Sequence, residues 1–434
     1  MDYQTLEELL PLAEEGKMVL GLDTIARLMA ELGNPQDQLP TIHIAGTNGK
    51  GSAAMMLATI LEEAGYKVGL YTSPSIMSFN ERIMVNRQPV SDEAIIQAAQ
   101  AIKASCERLD LHLTEFEVYT AMAWLIFADQ ACDLLVLEVG LGGRLDATNL
   151  VQAPLVTLLM KIAFDHVGIL GHSLAEIARE KAGIIKAGRP VISYPQDPEA
   201  KAVIAAKAEE MGAPYLEVDP GDIQALESGQ ARKQRFSYKG QTWQLNLLEA
   251  HQVQNASVVL EVIQTLRQEG YKISDDAIAR GLDQVKWPAR FEIMHDQPTI
   301  VVDGSHNLDG VSQLKLNLQR YFPGQKIIAI MGMLADKDVS HAVSEILPIL
   351  DQVVTVRPNT PRALTAEELR DKIVSIYPEQ YDTIIPSDSY EDAFNKAMEL
   401  LDEDTVLVIF GSFYYVGYMR NLINKKLGND MNYG

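Results

Sequence analysis

A glycine-rich segment, residues 46–52, constrains the fold most strongly, because it joins a short apolar run to a long helical pattern. Thr41–Ala45 before it is typical of a buried strand, and the good helix formers of residues 52–64 after it end at Gly65. Residues 67–71 then predict a second strand. A strand, a glycine loop, a helix and another strand in this order are typical of an α/β chain with a mostly parallel sheet.

The same alternation continues along the chain and predicts a doubly wound layout. Further strands are predicted at residues 134–139, 155–159 and 190–193, with helices near 117–129 and 173–185. The period changes to two at residues 235–247, where Lys239 and Gly240 predict the turn of a hairpin, and a helix follows from about His251. After Trp287 a second α/β series begins, with strands near residues 299–303, 326–331, 352–356, 383–385 and 405–410.

The chain of 434 residues is too long for one hydrophobic core, since single cores stop growing near roughly 250–300 residues. We place a boundary near Met294. This divides the chain into residues 1–294, a doubly wound domain that contains the P-loop-type segment, and residues 295–434, a smaller α/β domain.

Composition excludes several classes of partner. Acidic residues outnumber basic ones by 59 to 37, a formal net charge of −22, whereas a nucleic-acid binder normally shows a basic stripe and an anionic membrane attracts basic segments. The acidic N-terminus does not resemble a signal peptide, and no stretch approaches the ~18 apolar residues of a membrane span. Two cysteines without CxxC spacing are too few for a disulfide framework. We expect a soluble, cytoplasmic, monomeric protein.

Residues 46–52 have the parts of a phosphate-binding loop. Backbone N–H groups at a helix N-terminus bind phosphates, Lys50 supplies a charge and Ser52 offers a hydroxyl to Mg²⁺. The strict P-loop pattern is not met, because it requires glycine where Ile44 stands and Ser or Thr where Gly51 stands. The alternative is a turn that only joins strand to helix, and the lysine and serine in this context favour phosphate binding.

Other strand ends carry polar residues, and open α/β sheets bind ligands at the carboxyl ends of their strands. Glu138 ends an apolar run and leads into a loop dense in glycine and polar groups; His166 follows the strand at 155–159. In the second domain, Asp303 ends the first strand shortly after Arg290, whose guanidinium suits phosphate oxygens. The alternatives are a solvated loop, a structural histidine and a surface arginine.

Taken together, these residues resemble the folylpolyglutamate synthase and dihydrofolate synthase family of the ATP-dependent Mur ligase superfamily. The segments HIAGTNGKGS, YTSPSIMSFNERI, LEVGLGGRLDATN, DHVGILG, EKAGIIK, WPARFE and DGSHN occur in the family's order and approximate spacing. The resemblance implies an ATP- and folate-binding domain over residues 1–294 and a Rossmann-like glutamate-ligase domain over residues 295–434. It also implies that ATP phosphorylates a folate carboxylate, and that the amino group of L-glutamate attacks the acyl phosphate to give an amide, ADP and phosphate.

The resemblance further implies roles for individual residues. Catalysis is expected to involve Lys50, Glu138, His166 and Lys181, of which Lys181 matches the position that is carbamylated in the family. The residues expected to bind ATP are Thr47, Asn48, Gly49, Lys50, Gly51, Ser52, Asn255, Arg290, Asp303 and His306. Two Mg²⁺ ions are expected at Ser52, Glu138 and His166. The residues expected to contact the folate or glutamate are Ser73, Phe79, Arg82, Arg144, Asp146 and Ser412, with residues 336–338 as a further region for glutamate.

Two alternative functions stay open. A peptidoglycan-precursor amino-acid ligase of the same superfamily normally carries a further N-terminal domain, whereas here the phosphate loop already begins at Gly46. The other alternative is a nucleotide-regulated binding protein without turnover. For the synthase reading, we favour dihydrofolate synthesis as an added activity, because residues 144–149 and 73–82 offer polar groups for a second pterin position.

Overall fold

The computed structural model describes residues 21–76, 78–227 and 233–428, which form two compact units. The first unit contains the described residues up to Asn246 together with Gln252–Lys286. The second contains Leu247–His251 and the described residues from Trp287 onward. The division therefore comes earlier than the boundary that the sequence suggested near Met294, which lies inside the strand Glu292–Asp296 of the second unit.

The first unit is built around an eight-stranded sheet and a separate three-stranded sheet. Its elements are α1 (Asp23–Glu31), β1 (Thr41–Ala45), α2 (Lys50–Glu63), β2 (Val68–Tyr71), β3 (Ile83–Val85), β4 (Gln88–Pro89), α3 (Asp92–Leu109), α4 (Glu115–Asp129), β5 (Leu134–Glu138), β6 (Val156–Leu159), α5 (Val167–Leu170), α6 (Leu174–Ala182), β7 (Val191–Ser193), α7 (Pro198–Glu210), β8 (Tyr215–Glu217), β9 (Ile223–Leu226), β10 (Gln234–Tyr238), β11 (Gln241–Leu245), α8 (Gln252–Gln268) and α9 (Asp275–Gln284).

The strand order of the large sheet explains where its ligand site should lie. The order is β4-β3-β2-β5-β1-β6-β7-β8, and the six strands from β2 to β8 in this order are parallel. β1 lies between β5 and β6, so the chain first builds toward one edge and later continues from β6 toward the other. Such a reversal leaves a crevice at the carboxyl ends of the strands, and the glycine loop after β1 begins there.

The second unit is a six-stranded sheet in the order β12-β13-β17-β14-β15-β16, parallel except for β12. Its elements are β12 (Glu292–Asp296), β13 (Thr299–Val302), α10 (Leu308–Tyr321), β14 (Lys326–Met331), α11 (Val339–Ile346), β15 (Gln352–Thr355), α12 (Ala366–Ile376), β16 (Ile384–Pro386), α13 (Tyr390–Glu399), β17 (Thr405–Phe410) and α14 (Phe413–Leu427). The last strand, β17, lies between β13 and β14 and is parallel to both, so the polar residues that follow these three strands all lie at the carboxyl ends of the strands.

The α/β class and the doubly wound layout predicted from the sequence are confirmed. Each predicted strand is present with ends that differ by no more than one residue, and the hairpin is β10 with β11. The helix predicted at 117–129 begins earlier, at Glu115, because Thr114 and Glu117 form a capping box. Within the described part of the chain, no helix has the length and apolar character needed to cross a bilayer.

Candidate functional site

The glycine loop passes so close to its neighbours that two of its positions require glycine. A Cβ atom at Gly46 would lie 2.7 Å from Cβ of Met160, which directly follows β6. A Cβ atom at Gly49 would lie 2.9 Å from Oδ1 of Asn255, and the φ of 86° at Gly49 is in the left-handed region that favours glycine. The loop therefore runs directly beside the end of β6 and beside α8.

Hydrogen bonds tie the loop to the segment that follows β6. The N–H groups of Thr47 and Asn48 donate to the carbonyl of Lys161 over 2.8 and 3.2 Å. The Thr47 hydroxyl donates to the Ala163 carbonyl over 2.9 Å and accepts from the Ala163 N–H over 3.0 Å. The N–H groups of Thr47 and Asn48 are therefore already bound within the protein. The N–H groups of the first turn of α2, which begins without a side-chain cap, are the better donors to a phosphate.

Two lysines converge on one carbonyl of the loop. Nζ of Lys50 and Nζ of Lys181 donate to the Gly46 carbonyl over 3.0 and 2.9 Å. Burial, and then the charge of Lys50, lower the pKa of Lys181 to about 7, although Asp165 and Asp146 act in the opposite direction. Lys181 is 4% exposed. The sequence predicted both lysines, and the structure brings them together at the carboxyl end of β1.

Ser52 and Asn255 are linked through a glutamine that the sequence analysis missed. Gln252 donates through Nε2 to the Ser52 hydroxyl over 3.2 Å, and its Oε1 accepts from Nδ2 of Asn255 over 2.9 Å. All three side chains are buried. Gln252 lies 200 residues after Ser52, so no local pattern signals the contact.

Glu138 delivers a buried carboxylate next to the glycine loop. It ends β5, where it is in register with Ile44 of β1, and it is 3% exposed. Its Oε2 accepts from the backbone N–H of Ser73 over 3.1 Å, which brings a predicted substrate contact to a predicted metal ligand. Among the residues that the structure describes, no group of three His, Cys, Asp or Glu side chains could hold a metal. A Mg²⁺ ion here would depend on Ser52, Glu138 and phosphate oxygens, a set that suits it.

His166 lies on an exposed segment that the Thr47–Ala163 hydrogen bonds tie to the glycine loop. Its side chain is 38% exposed, and its Nε2 is 3.9 Å from Oδ2 of Asp165. The backbone N–H of His166 donates to Oδ1 of Asp165, and its φ is 49°. A left-handed conformation at a residue other than glycine is uncommon and occurs often at functional sites.

The loop after β5 is organised by Asp146. Oδ1 of Asp146 accepts from the N–H and the hydroxyl of Thr148, and its Oδ2 accepts from the N–H of Leu141 over 2.9 Å. Burial raises the pKa of Asp146, and these hydrogen bonds oppose the increase. Arg144 is exposed and forms an ion pair with Glu180 at 3.0 Å, next to Lys181 in α6. Asp146 thus holds the loop together, while Arg144 is open to solvent.

His43, which the sequence analysis did not single out, supports the loop after β5 through a contact with Thr148. His43 lies in the middle of β1, is fully buried, and contacts the Thr148 hydroxyl through Nε2 at 2.9 Å. Since that hydroxyl donates to Asp146, it accepts from an Nε2–H of His43. Burial, with a smaller effect of Lys186, lowers the pKa of His43 to about 3, so its ring is neutral. An ionisable residue in the middle of a buried, largely apolar strand was the available signal.

The segment that follows β2 carries one buried and one accessible candidate. The ring of Phe79 is fully buried and lies 4.6 Å from the ring of Tyr119, centroid to centroid. The guanidinium of Arg82 lies over the same tyrosine at 5.3 Å and is partly exposed. Phe79 therefore supports the segment from the core, and its expected contact with substrate stays a prediction. The expected contact of Arg82 with substrate likewise stays a prediction.

In the second unit, Asp303, His306 and Arg290 surround the end of β13. Oδ1 of Asp303 accepts from the N–H of Ser305 and Oδ2 from that of Phe291, each over 2.8 Å. Burial, and then Glu249, raise the pKa of Asp303, whereas Arg290 lowers it. Nδ1 of His306 lies 2.9 Å from the Gly304 carbonyl, which can only accept, so Nδ1 carries a proton. The Arg290 guanidinium lies 5.0 Å over the ring of Phe413.

Ser412 and residues 336–338 lie at the carboxyl ends of neighbouring strands in the second unit. The Ser412 hydroxyl is buried and caps α14 by accepting from the N–H of Tyr414. Arg362, which the sequence analysis missed, pairs with Asp336 at 3.1 Å and donates to the Tyr414 hydroxyl over 3.0 Å. Arg362 is half exposed, so its guanidinium, which Asp336 and Tyr414 hold in place, is accessible at the carboxyl ends of the strands.

Family models match both units. Residues 44–263 match the Mur ligase middle domain, and residues 289–413 match the glutamate ligase domain of Mur ligases.

The chain is also similar to curated proteins and solved structures over nearly its whole length. It is 37% identical to a folylpolyglutamate synthase of Lacticaseibacillus casei, over 92% of this chain and 93% of that protein. It is 35% identical to a dihydrofolate synthase/folylpolyglutamate synthase of Bacillus subtilis, over 92% and 94%. The folylpolyglutamate synthase of Mycobacterium tuberculosis complexed with ADP and AMPPCP has a TM-score of 0.87 at 31% identity, covering 96% of this chain and 97% of that one. FolC of Escherichia coli in complex with DHPP and ADP has a TM-score of 0.86 at 31% identity, covering 98% of both chains.

Proposed function

The chain belongs to the Mur ligase family of folylpolyglutamate and dihydrofolate synthases, and on that premise we propose how its residues perform the ATP-dependent ligation of L-glutamate to folates. The observation that carries the proposal is the convergence of Lys50 and Lys181 on the Gly46 carbonyl, beside the uncapped start of α2. The ammonium group of Lys50 and the N–H groups at this point stabilise the negative charge that develops when a phosphoryl group is transferred.

On the nucleotide side, the amides of α2, Lys50, Asn255 and Arg290 bind ATP. Ser52 and Glu138 hold Mg²⁺ together with phosphate oxygens, and His166 holds a second ion. When bound, these ions neutralise phosphate charge and orient the phosphate for transfer. Gln252 supports Ser52 in this role, because its Nε2 donates to the Ser52 hydroxyl.

Lys181 acts as a carbamate. Its burial and a pKa lowered to about 7 leave much of the amine neutral near neutral pH, and only a neutral amine reacts with carbon dioxide. The reaction forms one N–C bond and releases one proton. The carbamate nitrogen keeps an N–H for the Gly46 carbonyl, while its carboxylate supplies the anionic oxygen that an ammonium group lacks.

Arg82, Arg144 and Ser73 bind the folate, and Arg362 with the loop before α14 binds the incoming glutamate. Arg362 is held by Asp336 and Tyr414 and can still face a carboxylate, since it is half exposed. The folate carboxylate takes the γ-phosphoryl group and the glutamate amine displaces phosphate from the acyl phosphate. Phosphate then leaves and an amide bond forms.

Dihydropteroate is proposed as a second acceptor. The support is the similarity to the bifunctional synthase of Bacillus subtilis together with the polar loop that Asp146 organises. The similarity to a folylpolyglutamate synthase of Lacticaseibacillus casei leaves the single activity as the alternative.

The experiment that tests the phosphate role of Lys50 compares Lys50→Ala with Lys67→Ala. Lys67 precedes β2, at the amino ends of the strands, where it donates to a backbone carbonyl and is remote from the glycine loop. ADP release with folate and glutamate should fall by roughly a hundredfold or more in Lys50→Ala, as for loss of a group that stabilises transition-state charge. Lys67→Ala should retain wild-type turnover. Equal turnover in both folded variants would contradict the proposal.

A further inference from the structure

Arg290 lies in a turn with unusual backbone geometry. The residues on both sides of it, Ala289 and Phe291, have φ values of 55° and 41°, although neither is glycine. Side-chain-bearing residues adopt this left-handed conformation only where the surrounding structure holds them in it. The turn therefore depends on partners that fix its backbone.

Two carboxylates hold the backbone on either side of Arg290. The N–H of Ala289 donates to Oε2 of Glu292 over 2.8 Å, and the N–H of Phe291 donates to Oδ2 of Asp303 over 2.8 Å. The carbonyl of Ala289 accepts from the N–H of Gly304 over 2.8 Å. Because both neighbouring N–H groups are bound, the direction in which the Arg290 side chain leaves the backbone is fixed.

Glu292 is in turn held by a buried arginine of α14. Nε of Arg420 donates to Oε2 of Glu292 over 2.8 Å, and Nη2 donates to Oε1 over 2.7 Å. Arg420 is 2% exposed, and the paired N–H donors of its guanidinium fix the plane of the carboxylate through two parallel hydrogen bonds. A buried arginine is costly unless it is well paired, so this pair has a defined geometry.

The same helix supports the head of Arg290. Phe413, the first residue of α14, lies 5.0 Å beneath the guanidinium. Gly304 permits this arrangement, because a Cβ atom there would lie 2.2 Å from the ring of Phe413. One helix thus contributes Arg420, which acts on the backbone of the turn, and Phe413, which acts on the side chain.

We propose that Glu292 and Arg420 are positioning residues that aim Arg290 at the phosphates of ATP. This rests on the proposed function, in which Arg290 binds ATP. Neither residue touches the nucleotide; both act through the turn at Ala289. The competing explanation is that the ion pair only stabilises the second unit, and it predicts no selective effect on ATP.

The test is steady-state kinetics of the full-length enzyme with each of its three substrates varied. Glu292→Gln keeps the size of the side chain but loses the charge and one of the paired acceptors, and Arg420→Lys keeps the charge but loses the fork. Both variants should raise KM for ATP roughly tenfold, while KM for folate and for glutamate change less than about twofold, the pattern of a lost interaction with one substrate. Lys326→Met removes an exposed ion pair with Asp402 in the same unit and should leave all three unchanged.

A double-mutant cycle with Arg290→Ala separates positioning from stability. If Glu292 acts through Arg290, Glu292→Gln should cause little further increase in KM for ATP once Arg290 is absent. Independent, multiplied effects would overturn the inference, as would a lowered melting temperature of Glu292→Gln with an unchanged KM for ATP. A wild-type KM for ATP in Arg290→Ala would instead overturn the proposed ATP contact itself, and with it this inference.

Discussion

The buried imidazole of His43 should make the first unit less stable in mild acid, and His43→Gln should remove the part of that loss which His43 causes. Burial lowers the pKa of His43 from the ordinary value of 6.5 to about 3. In the folded state the ring thus stays neutral down to about pH 3, whereas in the unfolded chain it takes up a proton below about pH 6.5. The unfolded state binds more protons between these two pH values. The stability that depends on the neutral His43 ring is therefore fully present above pH 6.5 and is lost as the pH falls toward 3.

The size of the effect follows from the same two values. One pKa unit corresponds to about 1.4 kcal/mol, so lowering the pH from about 7.5 to about 5.5 should cost about 1.4 kcal/mol through His43 alone. Glutamine does not titrate, and its amide N–H can still donate to the Thr148 hydroxyl that Nε2 of His43 contacts. The free energy of opening should therefore fall by about 1.4 kcal/mol more in the wild type than in His43→Gln, since all other titrating groups are shared.

Amide hydrogen exchange of peptides that cover β1 and β5 measures this difference, because it reports local opening in a chain with two units. Substitution of His112, an exposed histidine of the same unit, by glutamine is the matched control and should follow the wild type. An equal loss of protection in the wild type and in His43→Gln would refute the reasoning, since it would mean that His43 is protonated in the folded state.

Three further predictions concern the site. Gly49→Ala should raise KM for ATP roughly tenfold or more, because about 1–3 kcal/mol of backbone strain adds to a contact of 2.9 Å with Asn255. The control is Gly65→Ala, which is also at positive φ but has no neighbour within 4 Å. It should lower stability and leave KM for ATP unchanged. Under ¹³C-bicarbonate the protein should show a carbamate carbon resonance that Lys181→Met lacks, and an identical spectrum in both would contradict carbamylation. Arg362→Ala should raise KM for glutamate while KM for ATP stays constant. A raised KM for ATP with an unchanged KM for glutamate would contradict the proposal that Arg362 binds glutamate.

Much of the fold follows from the sequence because its strands are continuous apolar runs. β1, β5 and β17 are buried at every residue, as expected for strands that helices cover on both faces, and each was recognisable from its sequence. The strands that were missed are short or lie at an edge. β4 has only two residues, both exposed, and β12 pairs antiparallel at one edge of its sheet with a register shift, so neither shows a clear apolar pattern.

The site was predictable where chemistry and local pattern coincide. Lys50 and Ser52 follow a strand and a glycine loop, which is a local signal. Gln252, by contrast, acts on Ser52 from 200 residues away, and Arg420 acts on Glu292 from 128 residues away. Such partners are brought together only by the folded chain, and a single sequence does not reveal them.

The protein should join L-glutamate to a folate in a reaction that converts ATP to ADP and phosphate. The decisive assay incubates the pure protein with ATP, labelled L-glutamate and either tetrahydrofolate or dihydropteroate. Mass spectrometry then identifies the labelled product, and the ADP released is measured. We expect one ADP for each glutamate added to tetrahydrofolate, and label in dihydrofolate as well. ADP release without a labelled folate product, or labelling only of a UDP-sugar peptide offered in parallel, would contradict it.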